Sequence, residues 1–495
     1  MTRLVSISTT STTLYDAIAI ITNGPIPQRL SLPREAHAPI ELGDFRGRLE
    51  EVRMAYMPGK PPRVIYAGVD AEWPPELIER LRMAVASAVS YARGYRGISR
   101  LAVAVADGLV ERATSGDRGV EWVYEQLVVA ADMANYVYTQ KSRGIAPHVI
   151  EEVGFVDAPE RSLETGRIIA EAVRVARDFA NAPSSEMNPE GVERLAAKLA
   201  SEYGLRLRVL RARELEEHGM NGILAVGRGS SVEPRLVILE YNGGPRSIAI
   251  VGKTVTFDSG GLFLKSSDSM LDMKYDKSGG GIALGAILAA ARLQLPVTVY
   301  ALLPAVENMP GGSAYKPRDV LKMYGGYSVE VLSTDAEGRL TLADALSYAA
   351  RELKADILVD VATLTGAAVV ALGNHAAALF SNNDRLAEVF ERLARFTGEY
   401  VWRMPLWPVY ERQLESTVAD MANTGGRPGA AIVAAKFLEK FVDDKPWLHL
   451  DIAGVAWVQD RGPKKPYYES GATAWGLRAI IELLRDVARG ATVID

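Results

Sequence analysis

The octapeptide Ser333-Thr334-Asp335-Ala336-Glu337-Gly338-Arg339-Leu340 packs two carboxylates and a guanidinium into five residues. It follows the apolar run 328–332 and precedes a segment with helical patterning. On a strand-to-helix turn, Asp335 and Glu337 can converge on one point while Arg339 stays close by, and that geometry suits a metal ion. A second cluster, after the apolar run 247–251, holds Lys253, Asp258, Lys265 and Asp276. The two clusters are expected to close on each other. Small residues in Asp258-Ser259-Gly260-Gly261 and Ser278-Gly279-Gly280-Gly281 allow close backbone approach there.

Asp258, Asp276, Asp335 and Glu337 brought together would repel unless cations hold them. Oxygen-rich sites favour Mg2+ or Mn2+, and Zn2+ also accepts carboxylate ligands. Two ions sharing a bridging carboxylate would neutralise the cluster, and pairs about 3.5–4 Å apart serve hydrolysis by activating water and stabilising the developing oxyanion. Lys253, at a strand end among apolar residues, is expected to be partly buried with a lowered pKa, able to act as a neutral nitrogen ligand. Lys265 is expected to stay charged and to polarise a substrate carbonyl. The plainer readings are surface carboxylates, helix caps and solvated lysines; they weaken for Asp335 and Glu337 taken together.

Other chemistries find little material. Val251-Gly252-Lys253-Thr254 resembles the end of a phosphate-binding loop, but Ser247 stands where that motif needs glycine, and a strand stands where it needs a loop. There is no Gly-x-Ser-x-Gly elbow and no His-Glu-x-x-His. The five histidines (His37, His148, His218, His375, His449) are scattered, and the absence of cysteine excludes disulfides, thiolate catalysis and cysteine-ligated metals.

The elements that must position these residues follow from size and pattern. A chain of 495 residues exceeds one ordinary core. We expect an N-terminal α/β domain over 1–160, a connecting helix over 161–183 and a catalytic dimetal domain over 184–495. Helical periodicity covers 73–94, 121–141 and 164–181. Beyond these, helices at 191–203, 279–293 and 340–352 alternate with strands at 207–210, 236–241, 247–251, 297–303, 329–332, 357–361 and 377–380. This predicts an α/β fold with a mostly parallel, doubly wound sheet flanked by helices, whose ligands sit at the carboxyl ends of the strands. A net charge of −5 gives no footprint for nucleic acid. No apolar stretch reads as a membrane span or signal peptide, so a cytoplasmic location is the default.

At this point the residues carry a resemblance. The Val251 to Gly261 segment, Met273-Lys274-Tyr275-Asp276, the 333–340 octapeptide and Val361-Ala362-Thr363-Leu364-Thr365-Gly366-Ala367 are similar to those of the leucyl (cytosol) aminopeptidase family. Asp420-Met421, Gly426-Arg427-Pro428-Gly429-Ala430 and the 447–454 segment extend the match, which runs from about residue 176 to the end. The resemblance implies a tightly held metal on Lys253, Asp258, Asp276 and Glu337, and an exchangeable one on Asp258, Asp335 and Glu337. The ions would be Mn2+ or Zn2+, with Mg2+ or Co2+ as alternatives. Lys265 would assist the carbonyl, and Arg339 would hold a bicarbonate ion acting as general base. Met273, Thr363, Leu364, Gly366 and Ala453 would line the pocket for the first side chain. The implied protein is a homo-hexamer that cleaves apolar, leucine-like residues from the N-termini of peptides. Two departures adjoin ligands: Ser333 where the family usually has Asn, and Thr254 where it usually has Gly. The competing readings are a two-metal phosphoesterase and a non-catalytic binding or scaffold protein with a relict site.

Overall fold

The computed structural model describes every residue except 1, 25, 145, 459–464, 492, 493 and 495. Contacts divide the chain into two compact units, Met1–Arg174 with Lys464–Glu469, and Val175–Pro463 with Ser470–Asp495. Among the described residues no helix is long and apolar enough to cross a membrane.

The first unit is built on six strands: β1 (Arg3–Ile7), β2 (Ala17–Thr22), β3 (Val52–Tyr56), β4 (Arg63–Gly68), β5 (Arg100–Val105) and β6 (Glu152–Val156). Their order is β1-β6-β5-β2-β4-β3, and only the β3–β4 pairing is antiparallel. Strand β2, Ala-Ile-Ala-Ile-Ile-Thr, is buried along its whole length, as a central parallel strand covered on both faces requires. The helices Leu77–Arg93 and Val120–Asn135 pack against each other. The described segment 465–469 belongs to this unit, which the sequence did not suggest. Buried Glu79 accepts from Lys465 Nζ at 2.7 Å and from the Tyr467 hydroxyl at 2.5 Å, and holds it there.

The second unit contains β7 (Arg206–Arg211), β8 (Arg235–Asn242), β9 (Ser247–Gly252), β10 (Thr254–Asp258), β11 (Thr298–Asn308), β12 (Val320–Lys322), β13 (Ser328–Glu330), β14 (Ile357–Ala362), β15 (Ala377–Ser381), β16 (Val401–Arg403), β17 (Met421–Ala422) and β18 (Trp447–Asp451). Its large sheet runs β16-β15-β18-β14-β9-β11-β8-β7, with β10 attached to β11. The centre, β18-β14-β9-β11, is parallel, whereas β7, β8 and β15 enter through antiparallel pairings. Helices Ser278–Arg292 and Gly338–Arg351 each pack on central strands of the sheet.

Register does the positioning. Gly252 pairs with Val361, and Ala362 with Asp451. The chain therefore leaves β9, β14 and β18 at nearly one level, tied by Lys253 N to Val361 O at 2.9 Å and Ile452 N to Ala362 O at 2.8 Å. Gly279, in the first turn of Ser278–Arg292, lets that helix start directly on this rim, since a Cβ there would lie 2.0 Å from the Val361 carbonyl oxygen.

One sequence expectation is corrected. The strand expected at 329–332 is β13, and it does not join the large sheet. It forms a small one, antiparallel to β12 and parallel to β17. A three-residue strand carries no sequence record of its partner, so Asp335 and Glu337 arrive from beside the rim rather than from a strand of it.

Candidate metal centre

Both clusters meet. Lys253, first residue after β9, is 3% exposed, and its Nζ donates to Asp276 Oδ1 at 2.8 Å and to the Thr363 carbonyl at 2.9 Å. The same ammonium is 2.9 Å from Glu337 Oε1. Lys265 Nζ bridges Asp258 Oδ2 at 2.8 Å and Asp335 Oδ1 at 2.5 Å. Asp258 closes β10; Asp276 sits in the 3-10 turn Met273–Lys277; Glu337 caps the helix Gly338–Arg351. The turn carrying Asp276 is pinned by Lys277, whose buried Nζ donates to the carbonyls of Ala182 at 2.9 Å and Lys274 at 2.6 Å. Gly338 is forced by proximity to Lys253: a Cβ at that position would stand 2.4 Å from Lys253 Cε.

The electrostatics reverse one expectation. Burial alone would lower Lys253, but the carboxylates of Asp276, Glu337 and Asp258 outweigh it and hold the ammonium above the ordinary lysine range. Lys265 is raised in the same way, burial being overcome chiefly by Asp258. Seclusion from water was legible in the sequence; the carboxylates within contact distance decide the sign. Burial raises Asp276, Glu337 and Asp335 above the usual carboxylate range. Each keeps a proton more readily than in water, and the cluster favours any cation that can replace it.

The residues fit a divalent metal. Asp258, Asp335 and Glu337 each offer an oxygen, and these oxygens lie within 4.8 Å of one another. Asp276 Oδ2, buried, has no hydrogen-bond partner among the described residues. An all-carboxylate set with one amine beside it matches the donor chemistry of Mn2+ or Zn2+.

Arg339 lies 6% exposed, with Nη1 donating to the Asn423 carbonyl at 2.8 Å and Nε without a hydrogen-bond partner among the described residues. Burial pulls its pKa down to about 10, so it is charged at neutral pH.

The residues expected to line a pocket come from adjoining segments. Met273 begins the turn that carries Asp276, and Gly366 begins the helix Gly366–Leu372. Thr363 Oγ1 donates to Asp276 Oδ1 at 2.8 Å. Leu364 and Ala453 are joined by a residue that sequence reasoning left without a role. Asp451 Oδ1 accepts from Leu364 N at 3.1 Å, Thr365 N at 3.4 Å and Ala453 N at 3.2 Å, and Oδ2 accepts from Thr365 Oγ1 at 2.6 Å. Asn308 was also missed: its Nδ2 donates to Asp258 Oδ1 at 2.8 Å and to the Thr334 carbonyl at 3.0 Å. Its one sequence signal was its place at the end of an apolar run.

Comparison with known proteins shows what the chain resembles as a whole. The sequence profile described as cytosol aminopeptidase family, catalytic domain, matches residues 174–481. A probable cytosol aminopeptidase of Roseiflexus castenholzii is 39% identical over 470 residues, 92% of this chain and 94% of the relative. Another, of Cenarchaeum symbiosum, is 44% identical over 370 residues, 73% and 76% of the two chains. Among solved structures, the bottromycin maturation enzyme BotP in complex with Mn matches with a TM-score of 0.84 at 33% identity, covering 96% of this chain and 100% of that one.

Proposed function

Since the chain belongs to the cytosol aminopeptidase family, a family of metallo-exopeptidases, we propose that it is a two-metal aminopeptidase releasing apolar, leucine-like residues from the N-termini of peptides. The observation that carries this reading is the interleaving of Lys253 and Lys265 with Asp258, Asp276, Asp335 and Glu337 in one cluster, buried at Lys253, Asp258, Asp276 and Glu337 and open to solvent at Asp335. Lys253, Asp258, Asp276 and Glu337 would hold one ion, and Asp258, Asp335 and Glu337 the other. The chemistry such ions supply is Lewis-acid polarisation of the carbonyl and a lowered pKa for bound water.

The chain's own groups complete the site. The Lys265 ammonium, held in place by Asp258 and Asp335, is a fixed donor for the oxygen on which negative charge develops. Arg339 would keep a bicarbonate ion at the site, its buried charge having one carbonyl partner and an Nε still free to donate among the described residues. Met273, Thr363, Leu364, Gly366 and Ala453 would receive the first side chain, with Asp451 fixing the backbone at Leu364 and Ala453. On this reading the protein works on peptides in the cytoplasm as a homo-hexamer.

A phosphoesterase on the same carboxylates has less support, because Lys253 and Lys265 each already face two carboxylates rather than an open anion site. The test is hydrolysis of a panel of aminoacyl chromogenic amides with Mn2+, Zn2+, Co2+, Mg2+ or no metal. Turnover is expected to be highest for leucyl-type substrates and to vanish when the amine is acetylated. Equal cleavage of free and acetylated substrates would sink the exopeptidase reading.

A further inference from the structure

Asn423 follows β17 and is fully buried. Its side-chain amide is spent on the turn that carries the acidic pair. Oδ1 accepts from Leu332 N at 2.8 Å and Ser333 N at 3.3 Å, while Nδ2 donates to Ser333 O at 2.7 Å and Ala336 O at 3.4 Å. The backbone of the same residue accepts from Arg339 Nη1 at 2.8 Å and donates to Glu330 O at 2.9 Å. One residue thus touches the chain before Asp335, between Asp335 and Glu337, and at Arg339.

The turn needs such a partner. Residues 332–336 lie between β13 and the helix Gly338–Arg351, so neither a strand ladder nor a helix satisfies their backbone groups. A primary amide offers two acceptor lone pairs and two donor hydrogens on one planar group, which a carboxylate or hydroxyl of similar size does not. Here N–H groups face its oxygen and carbonyls face its nitrogen.

Resting on the two-metal reading above, we propose that Asn423 is a positioning residue for the dimetal site. It sets the backbone of the 332–336 turn so that Asp335 and Glu337 reach the cluster formed by Asp258 and Asp276, and it fixes the Arg339 guanidinium relative to them.

A nearby staple separates this role from simple strand pairing. At the start of the same strand pair, Asp420 Oδ2 accepts from Ser328 N at 2.8 Å and Ser328 Oγ at 2.7 Å. Asp420 holds β13 to β17 without touching the turn, so it is the control.

The experiment compares wild type, Asn423→Asp, Asn423→Ser and Asp420→Ala as full chains. Mn2+ binding is measured by calorimetry, thermal stability by melting, and kcat and KM on a leucyl chromogenic amide. Removing a group that orients metal ligands typically weakens metal affinity by about 10–100-fold. Both Asn423 variants are expected to weaken one of two Mn2+ binding steps by that factor and to lower kcat more than they raise KM. Asn423→Ser, lacking the misplaced charge of aspartate, keeps the test open should Asn423→Asp not fold. Asp420→Ala is expected to lower the melting temperature while Mn2+ affinity and kcat stay within about twofold. Folded Asn423 variants that bind both ions like wild type overturn the proposal, as does an Asp420→Ala variant that reproduces their metal loss. Wild-type protein that takes up no Mn2+ overturns the two-metal reading and this proposal together.

Discussion

Replacing Lys253 with methionine keeps an unbranched side chain of similar length and removes its charge, which isolates what that charge does among buried carboxylates. Nζ stands 2.8 Å from Asp276 Oδ1, 2.9 Å from Glu337 Oε1 and 2.9 Å from the Thr363 carbonyl oxygen, so three acceptors lose the ammonium at once, and Asp276 Oδ1 keeps only the Thr363 hydroxyl. Breaking a buried ion pair by deleting one partner costs about 3–5 kcal/mol, because the other charge stays buried and unpaired. The cost carries a definite pH dependence. In the wild type the Lys253 pKa is raised above its unfolded value, near 10, so the ammonium itself stays charged from about pH 6 to 9 and does not titrate there. In the variant, Asp276 and Glu337, already raised by burial, lose the opposing ammonium and rise further. The native chain then binds protons that the unfolded chain has released, and stability falls with rising pH by up to about 1.4 kcal/mol per unit per group. In chelator-treated protein the gap between wild type and Lys253→Met is expected to be about 1–3 kcal/mol near pH 6, the penalty of unsatisfied neutral groups. Near pH 9 it is expected to reach about 3–5 kcal/mol or more. Melting curves at both pH values read the gap, and a gap that is absent or does not widen refutes the neutralising role. Lys253→Arg is the second arm: arginine keeps the charge but has no accessible lone pair. The variant is expected to stay folded while losing the tightly held ion and most turnover. Two ions per chain with near-normal turnover would remove Lys253 from the ligand set.

The remaining expectations follow from the same contacts. Gly338→Ala places a Cβ 2.4 Å from Lys253 Cε and 2.8 Å from Nζ; overpacking of about 1–3 kcal/mol should exceed the gain of about 1 kcal/mol in helix propensity. Metal content and melting temperature should both fall, and unchanged metal content would refute the crowding argument. Loading with Mn2+ at neutral pH should release protons, because burial pushes Asp276 up to about 8 and Lys253 is held charged. Affinity should therefore rise with pH through that region, and calorimetry in buffers of different ionisation enthalpy reads the release; none would contradict it. Asp451→Ala strands three backbone N–H groups and the Thr365 hydroxyl. It should raise KM for a leucyl amide by about tenfold, the equivalent of about 1.4 kcal/mol and within the cost of one stranded group. Asp451→Asn, whose oxygen can still serve the N–H groups, should largely restore KM; equal KM values in all three proteins would remove Asp451 from the pocket.

What the sequence disclosed, and what it withheld, follows from how far each interaction reaches along the chain. Asp335, Glu337 and Arg339 were legible because their spacing is local and a turn alone can bring them together. Lys253 was legible as a strand-end residue, since the apolar run before it had to be a buried strand, and β9 ends at Gly252. Its protonation was not: the outcome depends on Asp276 and Glu337, 23 and 84 residues away in the chain but within 2.9 Å in space. The same reach hid Asn308, Asn423 and Asp451. Each is a lone polar residue near a strand end, indistinguishable in sequence from a solvated one until β10, β13 or β14 has found its neighbour. Strand pairing at long range is fixed by side-chain packing and register, neither of which leaves a periodic mark in three-residue segments such as β12 and β13. The acidic cluster therefore identifies the chemistry, while the residues that hold it to working geometry emerge only when register is known. Ser333 shows both kinds of interaction at one residue: its hydroxyl accepts from Asp335 N at 3.2 Å, a contact within local reach, while its backbone N–H and carbonyl pair with Asn423, ninety residues on, which only the folded register brings near.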